Sequence, residues 1–269
     1  SCLFKIYRKI FMNIEFKHKK SLGQNFLTNR KILKKISSLK DFKNQEIVEV
    51  GPGKGYLTEF IIKKKPSKLT LIEKDQTLKK ILSNFIKNKD TEINLIINDA
   101  LKISINKLSK KKIILIGNLP YNIATTLIIN WLKYINSFKS IIVMVQKEVA
   151  LRLSAEEKTK HYGRTSVLIQ VVADVKVKFD IAPENFFPKP KVYSSIIEII
   201  PKKKIKFDYH KLDKFLKISF RHRRKTLKNN LSKINPKIEE KIFKCGIDPA
   251  LRPEEISPKQ FIKLSEELL

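Results

Sequence analysis

A mostly parallel α/β sheet followed by a small helical domain is what this sequence predicts, and three observations carry the prediction. Five short apolar runs alternate with amphipathic segments of crossover length, the first run ends in a glycine-rich turn, and β signal disappears beyond Pro201. The runs are 46–50, 68–72, 93–97, 112–116 and 140–145, rich in Ile, Val and Leu as strands buried on both faces are. Two later apolar runs, 166–177 and 192–200, flank Pro183, Pro188 and Pro190 and predict an antiparallel pair that closes the sheet. After Lys202-Lys203-Lys204 the pattern is helical to the end. The expected organisation is a basic arm or leader over residues 1–22, one large α/β domain over 23–205 and a helical domain over 206–269.

With 269 residues, 42% of them hydrophobic, the chain is long enough to bury a core in each of two domains. Its longest uncharged stretch, 113–132, has the length of a membrane span. Gly117, Asn118, Pro120 and Asn122 would break that helix in lipid, so no membrane partner is expected. The balance of 57 Lys+Arg against 26 Asp+Glu, a net +31, predicts instead a polyanionic partner, nucleic acid first. Cys2 and Cys245 lie far apart with no metal-site spacing around them, so free thiols, a reducing compartment and no metal are expected. Residues 1–11 are basic, apolar and free of acids, and they precede Met12, an alternative translation start. They lack the continuous apolar core of a secretory signal, which points to the cytoplasm and leaves an organellar leader open.

The strand ends carry the chemistry. The first run closes in Glu49-Val50-Gly51-Pro52-Gly53-Lys54-Gly55, a turn that lets a ligand approach the backbone. A dinucleotide fingerprint would place its third glycine at position 56, which is Tyr56, whereas the spacing of Gly51, Gly53 and Gly55 is of the S-adenosylmethionine type. The second strand delivers Glu73, 22 residues after Gly51, expected to have both carboxylate oxygens free for two ribose hydroxyls. The third delivers Asp99, placed for an adenine amino group. Directly after the fourth run comes Asn118-Leu119-Pro120-Tyr121, at the edge where open α/β sheets bind ligands. There the Asn118 carboxamide oxygen and a backbone carbonyl can accept the two hydrogens of an exocyclic amine, while Tyr121 offers a stacking face. Acceptors that hold those hydrogens out of plane return the lone pair to nitrogen, which is the chemistry of methylating an amino group on a base.

The sequence from Gly23 onward resembles the ribosomal RNA adenine N6,N6-dimethyltransferase family. Matching blocks are Gly23-Gln24-Asn25-Phe26-Leu27, the glycine turn, Glu73-Lys74-Asp75, Asp99-Ala100, Asn118-Leu119-Pro120-Tyr121-Asn122-Ile123, Gln146-Lys147-Glu148-Val149-Ala150, Phe186-Phe187-Pro188-Lys189-Pro190-Lys191-Val192, Arg223-Arg224-Lys225-Thr226-Leu227 and Arg252-Pro253-Glu254-Glu255. The resemblance implies a Rossmann-like class I methyltransferase using S-adenosyl-L-methionine, with Asn25, Leu27, Gly51, Gly53, Glu73, Asp99 and Asn118 at the cofactor. It implies a catalytic group of Asn118, Leu119, Pro120, Tyr121 and Phe187, with Tyr121 and Phe187 sandwiching the target adenine. The substrate implied is two adjacent adenosines near the 3′ end of small-subunit rRNA, met in the pre-30S particle by a monomeric enzyme. Thr165 departs from the Leu usual in the family at that place, a matter of packing more than of chemistry. The family also holds antibiotic-resistance enzymes acting on large-subunit rRNA; the Asn122-Ile123-Ala124-Thr125 tail and the block from Arg223 favour the small-subunit branch.

A separate physical observation points to RNA. From 214 to 237 there are nine Lys/Arg and no carboxylate. Read as one helix, this segment buries Leu216, Phe220, Leu227 and Leu231 on a stripe and sets Lys214, Arg221, Lys225 and Lys228 on the adjoining face. Arg221, Arg223, Arg224, Lys225 and Lys228 are therefore expected to meet phosphates of a folded RNA. The competing reading is a non-catalytic RNA- or DNA-binding factor, in assembly or transcription, on the same fold. Retention of Gly51, Glu73, Asp99 and the Asn-Leu-Pro-Tyr segment argues against it.

Overall fold

The computed structural model describes residues 24–203 and 206–269. The arm over 1–22, Cys2, Gly23 and the join expected at 205/206 lie outside those residues or at their edge.

All five predicted parallel runs are strands: β2 (Glu46–Val50), β3 (Lys68–Glu73), β4 (Glu92–Ile97), β5 (Ile113–Asn118) and β6 (Phe138–Gln146). With β7 (Ala173–Ile181) and β9 (Ser194–Pro201) they make a seven-stranded sheet in the order β4-β3-β2-β5-β6-β9-β7. The pairings among β2 to β6 are parallel, and β9 runs antiparallel to both β6 and β7. Successive strands leave β2 toward β3 and β4 on one side and toward β5 and β6 on the other. That reversal opens a crevice at the C-terminal ends of β2 and β5. A short antiparallel pair, β1 (Phe26–Leu27) with β8 (Phe186–Phe187), stands outside the sheet and matches Phe26 to Phe187. The uncharged stretch 113–132 divides into β5 and the helix Ala124–Leu132, and no helix among the described residues is long and apolar enough to cross a membrane.

One expected strand is corrected. Of the run 166–177, the first part belongs to the helix Arg164–Gln170, and only Ala173 onward is β7. Val167, Leu168 and Ile169 are all buried, and an apolar run buried on every side carries no periodicity to separate helix from strand. The Ser166 hydroxyl decides it locally by accepting the Gly163 N–H (3.0 Å) at the helix start.

Apolar side chains cover both faces of the sheet. One cluster includes Leu57, Phe60, Leu69 and Leu82; the other includes Trp131, Phe138 and Tyr162 and continues into Phe215, Leu216, Leu227, Leu231 and Phe261 of the C-terminal helices. Tyr162 is fully buried and donates its hydroxyl hydrogen to the Ile256 carbonyl (2.9 Å), and Arg164 pairs with Asp213 (2.5 Å), so polar bonds tie 206–269 to the start of the helix Arg164–Gln170 as well.

The single basic helix over 214–237 is also corrected. The helix Tyr209–Ser219 ends, 220–226 form a turn, and the chain is helical again over Leu227–Leu231. The buried Asn230 side chain accounts for the break: it accepts the His222 N–H (3.0 Å) and donates to the carbonyls of His222, Lys225 and Thr226. Those backbone groups thus find partners outside a helical ladder, while five consecutive basic or imidazole side chains stay in water. Leu216, Leu227 and Leu231 are nevertheless buried together, as the stripe requires.

Candidate active site at the strand ends

Three glycines shape the floor of the crevice. Gly51, Gly53 and Gly55 have φ of 71°, 58° and 81°, in the left-handed region that side chains disfavour. A Cβ on Gly51 would stand 2.8 Å from the Asn118 carbonyl oxygen, so the glycine is what lets the ends of β2 and β5 close up. Gly117 does the same inside the sheet, where an added Cβ would overlap the Val50 carbonyl.

Glu73, at the end of β3, is buried, and neither carboxylate oxygen is without a bond. Oε2 accepts the Gly53 N–H (3.0 Å) and Oε1 the Asp75 N–H (2.8 Å), which corrects the expectation of two free oxygens. Each oxygen keeps a second lone pair, so the group can still accept ligand hydroxyls while fixing the glycine turn. Burial pushes its pKa up, against the backbone N–H bonds of Asp75 and Gly53, which pull it down. Asp99 is likewise engaged: Oδ2 pairs with Lys74 (2.8 Å) and Oδ1 accepts the Leu101 N–H (3.0 Å), and Lys74 holds its pKa below the ordinary value.

Asn118 closes β5, as the sequence predicts. Its Nδ2 donates to the Asn25 carbonyl (2.8 Å), which fixes the carboxamide with its oxygen as the remaining acceptor. Asn25, Gly51, Gly53, Glu73, Asp99 and Asn118 share the wall of one cleft with Leu119, Pro120 and Tyr121, about 860 Å³ counting its open mouth.

Two predicted residues stand elsewhere. Leu27 is buried at 4% exposure and lines a smaller apolar cavity behind Gly51. Phe187 is 61% exposed, next to Phe186 in the outlying pair, and does not line the cleft.

One participant, Ser194, has no signal in motif or spacing. The Tyr121 hydroxyl shares a hydrogen bond of 2.5 Å with the Ser194 hydroxyl at the start of β9. Paired serines in an otherwise Ile-rich buried strand are the one available clue. Glu49, inside β2, is 1% exposed and accepts the Thr58 hydroxyl (2.7 Å); burial pushes its pKa up to about 8.

The basic residues separate into two groups. Arg223 donates to the carbonyls of Lys160 (2.8 Å) and Tyr162 (3.2 Å), and Lys228 pairs with Glu239 (3.0 Å), an acid from outside the acid-free segment. Arg221, Arg224 and Lys225 are exposed on the turn and have no carboxylate partner among the described residues.

Comparison with known proteins gives a coherent picture. Residues 15–269 match the family model for ribosomal RNA adenine dimethylase. A ribosomal RNA small subunit methyltransferase A from Pelagibacter ubique is 43% identical over 257 residues, covering 93% of this chain and 97% of its own length. The protein of that name from Ehrlichia ruminantium is 42% identical over 250 residues, covering 92% and 95%. Among solved structures, a dimethyladenosine transferase from Plasmodium falciparum superposes with a TM-score of 0.74 at 22% identity over 89% of this chain and 95% of its own. The 23S rRNA methyltransferase ErmE gives 0.68 at 19% over 90% and 99%. Both likenesses are of fold.

Proposed function

The chain belongs to the ribosomal RNA adenine dimethylase family, and on that footing we propose that it transfers methyl groups from S-adenosylmethionine to N6 of two adjacent adenosines near the 3′ end of small-subunit rRNA. The observation that carries the reading is the Asn118 carboxamide. One N–H of its nitrogen is tied to the Asn25 carbonyl, which orients the carboxamide and leaves its oxygen able to accept in a cleft also lined by Leu119, Pro120 and Tyr121. An extruded adenine stacked on Tyr121 would place its amine against that acceptor.

The bare glycine floor and the carboxylates of Glu73 and Asp99 suit a nucleoside cofactor, which when bound supplies an electrophilic methyl group. Glu73 and Asp99 would hold its hydroxyls and adenine. Asn118 and the Leu119 carbonyl localise the lone pair on the target nitrogen and aim it, so the rate gain comes from alignment. Phe187 would close on the second face of the base as RNA docks. Repetition on the same nitrogen requires room for one methyl already present.

In this reading residues 23–205 form the catalytic domain and 206–269 the helical part that meets RNA, through Arg221, Arg224 and Lys225 above all. The enzyme works as a monomer on the pre-30S particle, in the cytoplasm. Similarity to proteins named for the small subunit, at 42–43% identity, favours that substrate over the large-subunit branch.

The test is methylation of undermethylated 30S particles with radiolabelled S-adenosylmethionine, followed by mapping of modified bases. Two adjacent dimethylated adenosines near the 3′ end are expected, and Tyr121→Ala should slow their formation roughly 5- to 150-fold while RNA and cofactor still bind, since a stacking face worth about 1–3 kcal/mol per base is lost. Wild-type single-turnover rates from Tyr121→Ala would remove the segment from the reaction.

A further inference from the structure

Ser194 opens β9, opposite Gln146 of β6 on one side and Ile181 of β7 on the other, and is fully buried. Alternate side chains of a strand leave opposite faces, so Ser194 and Ser195 point apart. Ser195 donates to Asp180 (2.7 Å), whose other oxygen pairs with Lys147 (2.5 Å). Ser194 reaches the Tyr121 hydroxyl (2.5 Å). The two ends of that bond are held very differently. Ser194 is locked between two paired strands, whereas Tyr121 stands outside the sheet in a turn where the Ile123 N–H donates to the Pro120 carbonyl (3.1 Å).

We propose that Ser194 is a positioning residue for methyl transfer: by fixing the Tyr121 hydroxyl to the β6–β9–β7 junction, it sets the plane of the ring on which the target base stacks, and with it the angle of the amine to Asn118. The inference rests on the reading of Tyr121 as the stacking face. A ring held at one end can rock about its side-chain torsions, and its edge carries the base with it. Held at both ends, by the turn and by Ser194, it presents one plane, and misalignment of reacting atoms by even small distances is costly in rate. A hydroxyl that merely satisfied a part-buried phenol would affect stability and leave the transfer step alone.

The experiment compares Ser194→Ala and Tyr121→Phe, singly and combined, in single-turnover methylation of undermethylated 30S particles at saturating S-adenosylmethionine. Cofactor affinity, melting temperature and fluorescence of an rRNA fragment carrying 2-aminopurine at the target position are measured alongside. Each single variant is expected to slow transfer about five-fold, the size of one hydrogen bond, with unchanged cofactor affinity and weaker quenching of the 2-aminopurine. The double variant should be no slower than either single one, because both remove the same bond. A wild-type rate from Ser194→Ala, or losses that multiply in the double variant, would overturn the inference. Should Ser194→Ala fail to fold, Tyr121→Phe breaks the bond from its half-buried end, and a wild-type rate from it overturns the inference equally. If Tyr121→Ala is slow while Ser194→Ala is normal, only the role of Ser194 falls; if Tyr121→Ala is fully active, the stacking reading falls with it.

Discussion

The cleft at the ends of β2, β3 and β5 and the basic turn at 220–226 are built on opposite plans. In the cleft, polar side chains are held by the protein itself: Glu73 by two backbone N–H groups, Asn118 by the Asn25 carbonyl, Asp99 by Lys74, Tyr121 by Ser194. On the turn, the exposed cations Arg221, Arg224 and Lys225 have no carboxylate partner among the described residues, and what is fixed is the backbone, through Asn230. The difference fits the roles proposed for the two regions. Transfer to an amine fails with small misplacements, whereas attraction to phosphates tolerates them. Under those roles order is concentrated where geometry would limit the reaction, and exposed charge stands where only proximity would count.

The strongest blow to the ordered region should come from Gly117→Ala. Its Cβ would overlap the Val50 carbonyl inside the β2–β5 pairing, where no flexible side chain can give way. A loss of about 3 kcal/mol in urea unfolding is expected, together with loss of cofactor binding. Unchanged stability would mean that the two strands yield more easily than their pairing implies.

Glu73→Ala should cost cofactor affinity ~1.5–3 kcal/mol by calorimetry. Because Glu73 also holds the N–H groups of Gly53 and Asp75, the melting temperature should fall as well, a coupling that a purely ligand-facing acid would not show. Unaltered affinity would place the cofactor away from β3.

Glu49 offers a pH signature of the same buried edge. Its pKa is raised to about 8 from an ordinary 4.5, so between those values the folded state binds a proton that the unfolded state has released. Stability from this group is full below the unfolded value and declines as pH rises toward 8, with a slope of at most about 1.4 kcal/mol per pH unit. Glu49→Gln should remove that slope in unfolding curves taken from pH 5 to 8. Parallel wild-type and variant profiles would show the carboxyl to be ionised in place.

The turn should respond most mildly, and only to salt. Replacing Arg221, Arg224 and Lys225 with Gln should flatten the log–log salt dependence of rRNA binding by up to about 0.7–0.9 for each phosphate no longer neutralised, with stability and cofactor affinity untouched. Lys228→Gln should matter less, since Glu239 already neutralises that lysine. An unchanged slope in the triple variant would place RNA on another surface.

How much of this is readable in the chain differs between the two regions. The parallel strands, the glycine turn and the succession Gly51, Glu73, Asp99, Asn118 are legible because each is local: an apolar run, a breaker, an acid at a run's end. The helix Arg164–Gln170 is not, since complete burial erases the period that distinguishes helix from strand. Nor is the break after Ser219, which depends on a side chain at Asn230. In the basic segment the charges are plain in the sequence, yet which of them stay unpaired depends on Glu239 and on the Lys160 and Tyr162 carbonyls, distant along the chain.

The sheet's parallel half, the identity of the acceptors and the surplus of positive charge are thus dictated by the chain alone, because composition and short-range pattern are written residue by residue. That Glu73 is shared between turn and cleft, that Asn118 is turned by Asn25, and that Tyr121 is anchored by a serine 73 positions away are settled only in the folded molecule. Hydrogen bonds of that kind form between groups that meet only once the strands have chosen their neighbours, and strand order is a property of the packed core as a whole.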